Sequence, residues 1–276
     1  MERPRGLRFV TYLSPSIPRS FFEAVAEHMS RGLGRPVTLS EETAVSGPAG
    51  GEPEPFSNGT ADVGFMCAPS FLWLSELASP PVELLGAPVF WDARNGGRAV
   101  YFSEVVVRHD SPARSFEDLL GCSWAYNDDR SLSGYYSLLE KLSESGGRAG
   151  ELRHSGSHLD SLRLVARGAV DAAAIDSNVL ALQLGSEPDL GQGLRILESW
   201  GPYAVQPVVV RTSLDRETKE LLRGSLLGNG AGPEMPPLLT GFGLQRFAPV
   251  VPEDYAAERR TLAGLTGRAP AVEGGS

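Results

Sequence analysis

Residues 126–136 read Tyr-Asn-Asp-Asp-Arg-Ser-Leu-Ser-Gly-Tyr-Tyr, a polar loop that follows a strand-like run and leads into an amphipathic helix at about Ser133. The first turn of a helix carries backbone N–H groups with no intrahelical acceptor, at the positive end of the helix dipole. Ser131 and Ser133 add hydroxyls there, and Gly134 leaves room for a ligand to approach closely. That combination suits an oxyanion. Ordinary N-capping by Ser131 or Ser133 is the alternative reading of the same residues.

A second loop, 154–161, reads His-Ser-Gly-Ser-His-Leu-Asp-Ser and again joins a strand to a helix. His158 stands near that helix start, where it is either a donor to an anion or a plain helix-start histidine. Asp176 follows the apolar run 172–175, at the carboxyl end of a strand, where ligands of open α/β sheets gather. Ser131, His158 and Asp176 also supply the types for a nucleophile, base and orienting acid. No Gly-x-Ser-x-Gly elbow accompanies them, so a catalytic triad has no supporting motif.

The four histidines lack metal-site spacing, and Cys67 and Cys122 form neither a zinc pattern nor a close-spaced pair. No metal or cofactor is therefore expected, and whether the two thiols join stays open.

These residues need a frame. Leu7 to Tyr12, Val37 to Leu39, Val63 to Met66, Val82 to Val89, Tyr101 to Val107, Cys122 to Tyr126, Ala172 to Ile175 and part of Trp200 to Val210 read as strands. Phe21, Phe22, Val25, Ala26 and Met29 fall on one face of a helix, as do Tyr135, Leu138, Leu139 and Leu142, then Leu159, Leu162, Val165 and Ala166. Residues 212–227 read as a further helix. This alternation predicts an α/β architecture with largely parallel strands. Residues 46–55, rich in glycine and proline, are expected to be an irregular surface loop.

One echo recurs. Gly59-Thr60-Ala61-Asp62 before Val63 resembles Gly168-Ala169-Val170-Asp171 before Ala172. In each, glycine closes a turn and aspartate opens a buried strand, which predicts two similar lobes. We place lobe one at 1–102 and 207–276 and lobe two at 103–206, with crossings near 101–103 and 203–206 acting as hinges. The tail beyond Ala269 is expected to be disordered.

A net charge of −9 carries no basic nucleic-acid footprint and no polybasic membrane patch. It does not forbid an anionic ligand, because a few aimed donors outweigh distant surface charge. The first residues hold no signal peptide, no lipid-acceptor cysteine and no membrane-spanning run, so the chain as written is expected in the cytoplasm, and outside it if the N-terminus is truncated.

The segment 127–136, the His158 helix with Gly168-x-x-Asp171, and Tyr101–Arg108 followed by Asp110-Ser111 resemble the phosphate/phosphonate-binding family of ABC-transporter solute-binding proteins. The likeness runs from Leu7 to about Tyr255. Ser131-Leu132-Ser133-Gly134-Tyr135 is similar to that family's Ser-Thr-Ser-Gly-Tyr ligand loop, with Leu132 in place of threonine. The resemblance implies a two-lobed type 2 periplasmic-binding-protein fold with a ligand cleft between the lobes. It also implies non-catalytic binding of a small phosphonate or phosphate-like anion, either as the solute-binding component that feeds a membrane permease or as a soluble sensor or carrier.

Carried over, Ser131, Ser133, the N–H groups of Gly134 and Tyr135, and His158 would hold the anionic head. Tyr101 and Asp176 would meet the rest of the ligand, and Tyr12 to Ser14 would form the first-lobe loop. Two alternatives stay open: an enzyme on the same fold acting on a small phosphorylated or carboxylated metabolite, and a relative that keeps the fold but binds nothing tightly.

Overall fold

β-Branched and aromatic runs bury both faces when helices cover a sheet on each side, and that pattern dominates this chain. The computed structural model describes residues 5–42, 46–228 and 236–265. The chain begins with β1 (Leu7–Thr11), α1 (Arg19–Leu33), β2 (Val37–Glu41), β3 (Val63–Phe65), α2 (Ala68–Ser75) and β4 (Val82–Phe90). Next come β5 (Val100–Arg108), β6 (Ser123–Tyr126), α3 (Ser137–Glu144), β7 (Glu151–His154), α4 (His158–Ala166), β8 (Ala172–Asp176) and α5 (Ser177–Ser186). It ends with α6 (Pro188–Gln192), β9 (Leu194–Ala204), β10 (Val208–Arg211), α7 (Arg216–Leu227), α8 (Pro237–Gly241), β11 (Leu244–Ala248) and α9 (Ala256–Leu265).

The chain divides into two compact units. Unit one holds the residues up to Tyr101 and Pro202–Tyr255; unit two holds Phe102–Gly201 and the chain from Ala256 on. Unit one is built on a six-stranded sheet ordered β11-β4-β10-β3-β1-β2. There β1 runs parallel to β2 and β3, while β10 is antiparallel to β3 and β4. Its core is aromatic, with Phe22 and Phe65 rings 5.1 Å apart and Phe21 and Phe22 edge to face at 5.3 Å. Burying each such ring contributes about 2–3 kcal/mol.

Unit two is built on a five-stranded sheet ordered β7-β6-β8-β5-β9. In it β6 runs parallel to β7 and β8, and β5 is antiparallel to β8. Val106, Ala125, Ala173 and Ile175 from this sheet form one core with Leu162 and Val165 of α4. Phe116, Trp124 and Trp200 form a second cluster, with centroids 5.3–6.4 Å apart.

The Gly-x-x-Asp echo has a structural counterpart. Gly59 and Gly168 hold φ of 69° and 70°, values that favour glycine. Asp62 then accepts the Arg8 N–H at 3.0 Å and returns its own N–H to the Arg8 carbonyl at 2.8 Å. Asp171 does the same with Ser123, at 2.8 and 3.0 Å. In each unit the aspartate ties the approach to one strand to a residue of its parallel neighbour, which sets the register of β3 on β1 and of β8 on β6.

Two expectations need correction. Residues 207–276 are expected in lobe one, but α9 belongs to unit two, where it packs on α3 and on the helix start at 132–136. Its buried face carries Glu258, Thr261 and Leu262, and the Thr261 hydroxyl donates to Glu140 Oε1 at 2.8 Å. A helix's apolar spacing shows that it needs a partner, not which partner it takes.

The loop from 46 also starts inside the fold rather than on its surface. Ser46, Gly47 and Pro48 are buried, Ser46 N–H donates to the Tyr12 carbonyl, and the Ser46 carbonyl accepts from Cys67. The tail expected to be disordered lies outside the described residues. Among the described residues, no helix is long and apolar enough to cross a membrane.

Candidate functional site

β6 ends at Tyr126, and the next residues turn tightly before the helix. Asp128 Oδ1 accepts the Arg130 N–H at 2.5 Å, and the Asp128 carbonyl accepts the Ser131 N–H at 3.1 Å. Ser131 then caps a helix whose first turn, Leu132–Tyr136, is wide and runs directly into α3. The Ser131 hydroxyl accepts the Gly134 N–H at 3.1 Å, and its carbonyl accepts those of Tyr135 and Tyr136 at 3.2 and 3.0 Å.

The two N–H groups expected to face an anion, those of Gly134 and Tyr135, are therefore bonded within the helix itself. The N–H groups of Leu132 and Ser133 open the helix instead, ahead of any intrahelical acceptor. Leu132 is fully buried.

Ser133 is held firmly. Its carbonyl accepts the hydroxyls of Ser103, at 2.8 Å, and Ser137, at 2.7 Å, and those two oxygens lie 3.1 Å apart. The Ser133 hydroxyl in turn lies 3.4 Å from His158 Nε2. His158 opens α4, where Ser157 caps the helix by accepting the Asp160 N–H at 3.0 Å. The imidazole is 4% exposed, and burial pushes its pKa down to about 3. At neutral pH it is uncharged and presents one N–H donor.

Gly134 also answers a packing need. A Cβ at this position would stand 1.8 Å from Asn127 Oδ1 and 3.2 Å from His158 Cε1. Glycine is needed here because the Asn127 amide and the imidazole press against the helix start. Asn127 is buried, and its Oδ1 has no hydrogen-bond partner.

Asp176 is buried on β8 and caps α5, its Oδ1 accepting the N–H groups of Asn178 at 2.7 Å and Val179 at 3.1 Å. It sits opposite Ser103 in the β5–β8 register, which places it one strand position from the serine that fixes Ser133. The Tyr135 ring is half-buried and lies 4.8 Å from that of Tyr126.

Unit two thus brings Ser131, Ser133, Gly134 and His158 together, with Asp176 behind them. Ser103, Asn127 and Ser137 join them without having been singled out in the sequence. Ser103 lies in a largely apolar strand beside Glu104, and Ser137 follows Ser133 by one helical turn, a spacing that could have exposed it.

Tyr12, Ser14 and Tyr101 belong to unit one. Tyr12 is buried just past β1, where its N–H donates to the Phe65 carbonyl at 3.0 Å. Burial and the charges of Glu42 and Glu54 push its phenol well above the ordinary range. Ser14 is half-buried, and Tyr101 is buried with its ring 6.0 Å from that of Tyr203. Cys67 and Cys122 are both free thiols. Among the described residues, no group of three His, Cys, Asp or Glu side chains could hold a metal ion.

The arrangement in unit two gathers uncharged donors at the positive end of a helix: two hydroxyls, two opening N–H groups and a neutral imidazole. Such a set holds an anion through aimed dipoles, with no basic side chain required.

Comparison with known proteins places this geometry in context. The profile of the ABC-transporter phosphonate periplasmic substrate-binding proteins matches residues 7–255. Among curated proteins no sequence matches. A binding-protein component of an ABC phosphonate transporter from Pseudomonas aeruginosa superposes with a TM-score of 0.77 at 18% identity, covering 95% of this chain and 86% of that one.

PhnD1 from Prochlorococcus marinus, solved with methylphosphonate, gives 0.78 at 16% identity, covering 95% and 99%. The aliphatic sulphonate binding protein SsuA from Escherichia coli gives 0.56 at 18% identity, covering 94% and 86%. At these identities the superpositions establish the two-lobed type 2 periplasmic-binding fold, and the profile match establishes kinship: the chain belongs to the family of ABC-transporter periplasmic substrate-binding proteins for phosphonates.

Proposed function

We propose that unit two captures the oxyanion head of a small phosphonate or phosphate-like ligand, and that the protein delivers this ligand to a membrane permease. The observation that carries the reading is the convergence of Ser131, Ser133 and the buried, neutral His158 on one helix start. Tyr12, Ser14 and Tyr101 stand on unit one, so the assignment of the anionic head does not draw on them.

Binding without turnover fits the same geometry. A serine 3.4 Å from a histidine invites a nucleophile–base pair. An imidazole whose pKa is pushed to about 3 is too weak a base to take a serine proton near neutrality. Asp176, the third member such a triad would need, is engaged with the N–H groups of α5.

Each hydrogen bond lost to a charged ligand costs about 1.5–3 kcal/mol, roughly ten- to a hundredfold in affinity. Ser133→Ala and His158→Ala should each weaken binding by that factor in isothermal titration with methylphosphonate and phosphate, while Cys67→Ala should not. Failure of the wild type to bind either anion at millimolar concentration would overturn the proposal, as would unchanged affinity in both site variants.

A further inference from the structure

Unit one carries a charged cavity at the edge of its sheet opposite to Tyr12 and Ser14. β1 and β3, which are parallel, begin at that edge, and β10, antiparallel to β3, ends there. The cavity measures about 300 Å³, and Arg5, Arg35 and Arg211 line it together with Asp62, Asp215 and Thr218. That volume lies at the small end of ligand pockets, which run from roughly 300 to 1,000 Å³. The Leu7 N–H donates to the Pro36 carbonyl at 2.9 Å, which brings the segments carrying Arg5 and Arg35 side by side.

Three arginines around one cavity can form a closed ion-pair network, but the partners here do not suffice for one. Asp62 is shared between Arg8, at 3.2 Å, and Arg211, at 2.8 Å. Asp215 caps α7, accepting the Thr218 N–H at 2.8 Å. Burial would raise the Asp62 carboxyl, yet hydrogen bonds from Arg8 and Arg211 hold it below its ordinary range. Hydrogen bonds from Thr218 hold Asp215 low as well, so both carboxylates are charged at neutral pH. With Arg8 behind Asp62, four guanidinium groups meet two carboxylates, an excess of two positive charges.

The excess falls on identifiable groups. Among the described residues neither Arg5 nor Arg35 forms an ion pair, and Arg35 Nη1 donates to a neutral partner, the Thr218 hydroxyl, at 3.3 Å. The Arg211 side chain is 15% exposed, and its Nε–H has no acceptor among the described residues. Its Nη1 donates to the Ser213 hydroxyl at 3.0 Å, which leaves the Ser213 proton to donate elsewhere.

We propose that this cavity binds a compact phosphate-type anion carrying two or more negative charges, on unit one alone and independently of the anion site in unit two. Guanidinium forks match the paired oxygens of a phosphate group in geometry as well as charge. A dianion offsets the whole excess, whereas a monoanion leaves half of it unmet.

Pyrophosphate is the probe, followed by NMR on the 15N-labelled protein, so that its contacts with unit one are read residue by residue. The amides of Gly6, Leu7 and Ser213 should shift and saturate. Arg5→Gln and Arg35→Gln should each raise the Kd read at those amides about tenfold or more, as expected for a lost hydrogen bond to a charged ligand. Neither side chain is in an ion pair, so the unfolding temperature of both variants should stay at the wild-type value, which separates lost binding from lost folding. Methanesulfonate, with a single charge, should bind at these amides at least about tenfold more weakly than pyrophosphate. The proposal is overturned if millimolar pyrophosphate leaves the three amides in place, if both variants keep the wild-type Kd, or if methanesulfonate binds there as tightly.

Discussion

Acidification should test the burial of His158 directly, through stability rather than binding. In the unfolded chain the imidazole takes up a proton below about 6.5, its ordinary value; in the folded protein it does so only near 3. Between those values the unfolded state binds more protons, so stability falls as pH falls. From pH 6 to pH 4 the loss from His158 is about 2–3 kcal/mol.

Asp128 acts with the opposite sign. Its folded pKa of about 6 lies above the ordinary 3.8, so the folded state takes up the proton first, and stability rises as pH falls through 6. Its contribution is about 1–2 kcal/mol, less than the shift alone would give because solvent still screens the carboxyl. The wild type should therefore lose only about 1 kcal/mol from these two groups.

His158→Gln removes one of the opposing effects. Relative to the wild type, it should gain about 2–3 kcal/mol between pH 6 and pH 4, whatever constant packing it forfeits. Urea unfolding followed by the fluorescence of the buried Trp124 and Trp200, in a Trp73→Phe/Trp91→Phe background, reads unit two. Parallel stability curves for the two proteins would mean that His158 titrates normally and that the burial argument fails.

Gly134→Ala should drive a methyl group into the Asn127 amide, lowering the melting temperature of unit two and weakening methylphosphonate binding at least about tenfold, as titration and thermal unfolding would show. Asp62→Ala should cost about 2–4 kcal/mol by urea unfolding, because it strips a buried carboxylate from Arg8 and Arg211. Asp171→Ala, at the matching but more exposed position, should cost about 1 kcal/mol. Ending the chain before Ala256 should lower the unfolding temperature of unit two, because α9 packs there.

Much of this was legible in the residues, for reasons specific to each. Period-2 and period-3.6 patterns mark the strands and helices wherever an element has one apolar face. The Gly-x-x-Asp echo was readable because a positive-φ glycine and a strand-opening aspartate are local devices, and both pairs do the same job in their sheets. Ser131, Ser133 and His158 were readable as residues of helix starts, because each stands between a strand-like run and an amphipathic pattern and serine favours caps.

What stayed hidden depends on geometry beyond local spacing. The helix is capped by Ser131 and opens at Leu132, ahead of the start expected at about Ser133, so the opening N–H groups are those of Leu132 and Ser133 rather than of Gly134 and Tyr135; either serine is an equally good cap by residue type. Asn127 and Ser103 reach the site only once β5, β6 and β8 pair. Asp176 was read only as a ligand contact at a strand's carboxyl end, and its capping of α5 emerged with the structure.

The central claim is that an oxyanion docks at the opening of the helix that starts at Leu132. An NMR titration of the 15N-labelled protein with methylphosphonate tests it atom by atom. The account predicts that the Leu132 and Ser133 amide protons move downfield with the His158 side-chain resonances and saturate together as the ligand is added. Saturable binding that leaves those resonances in place would contradict it.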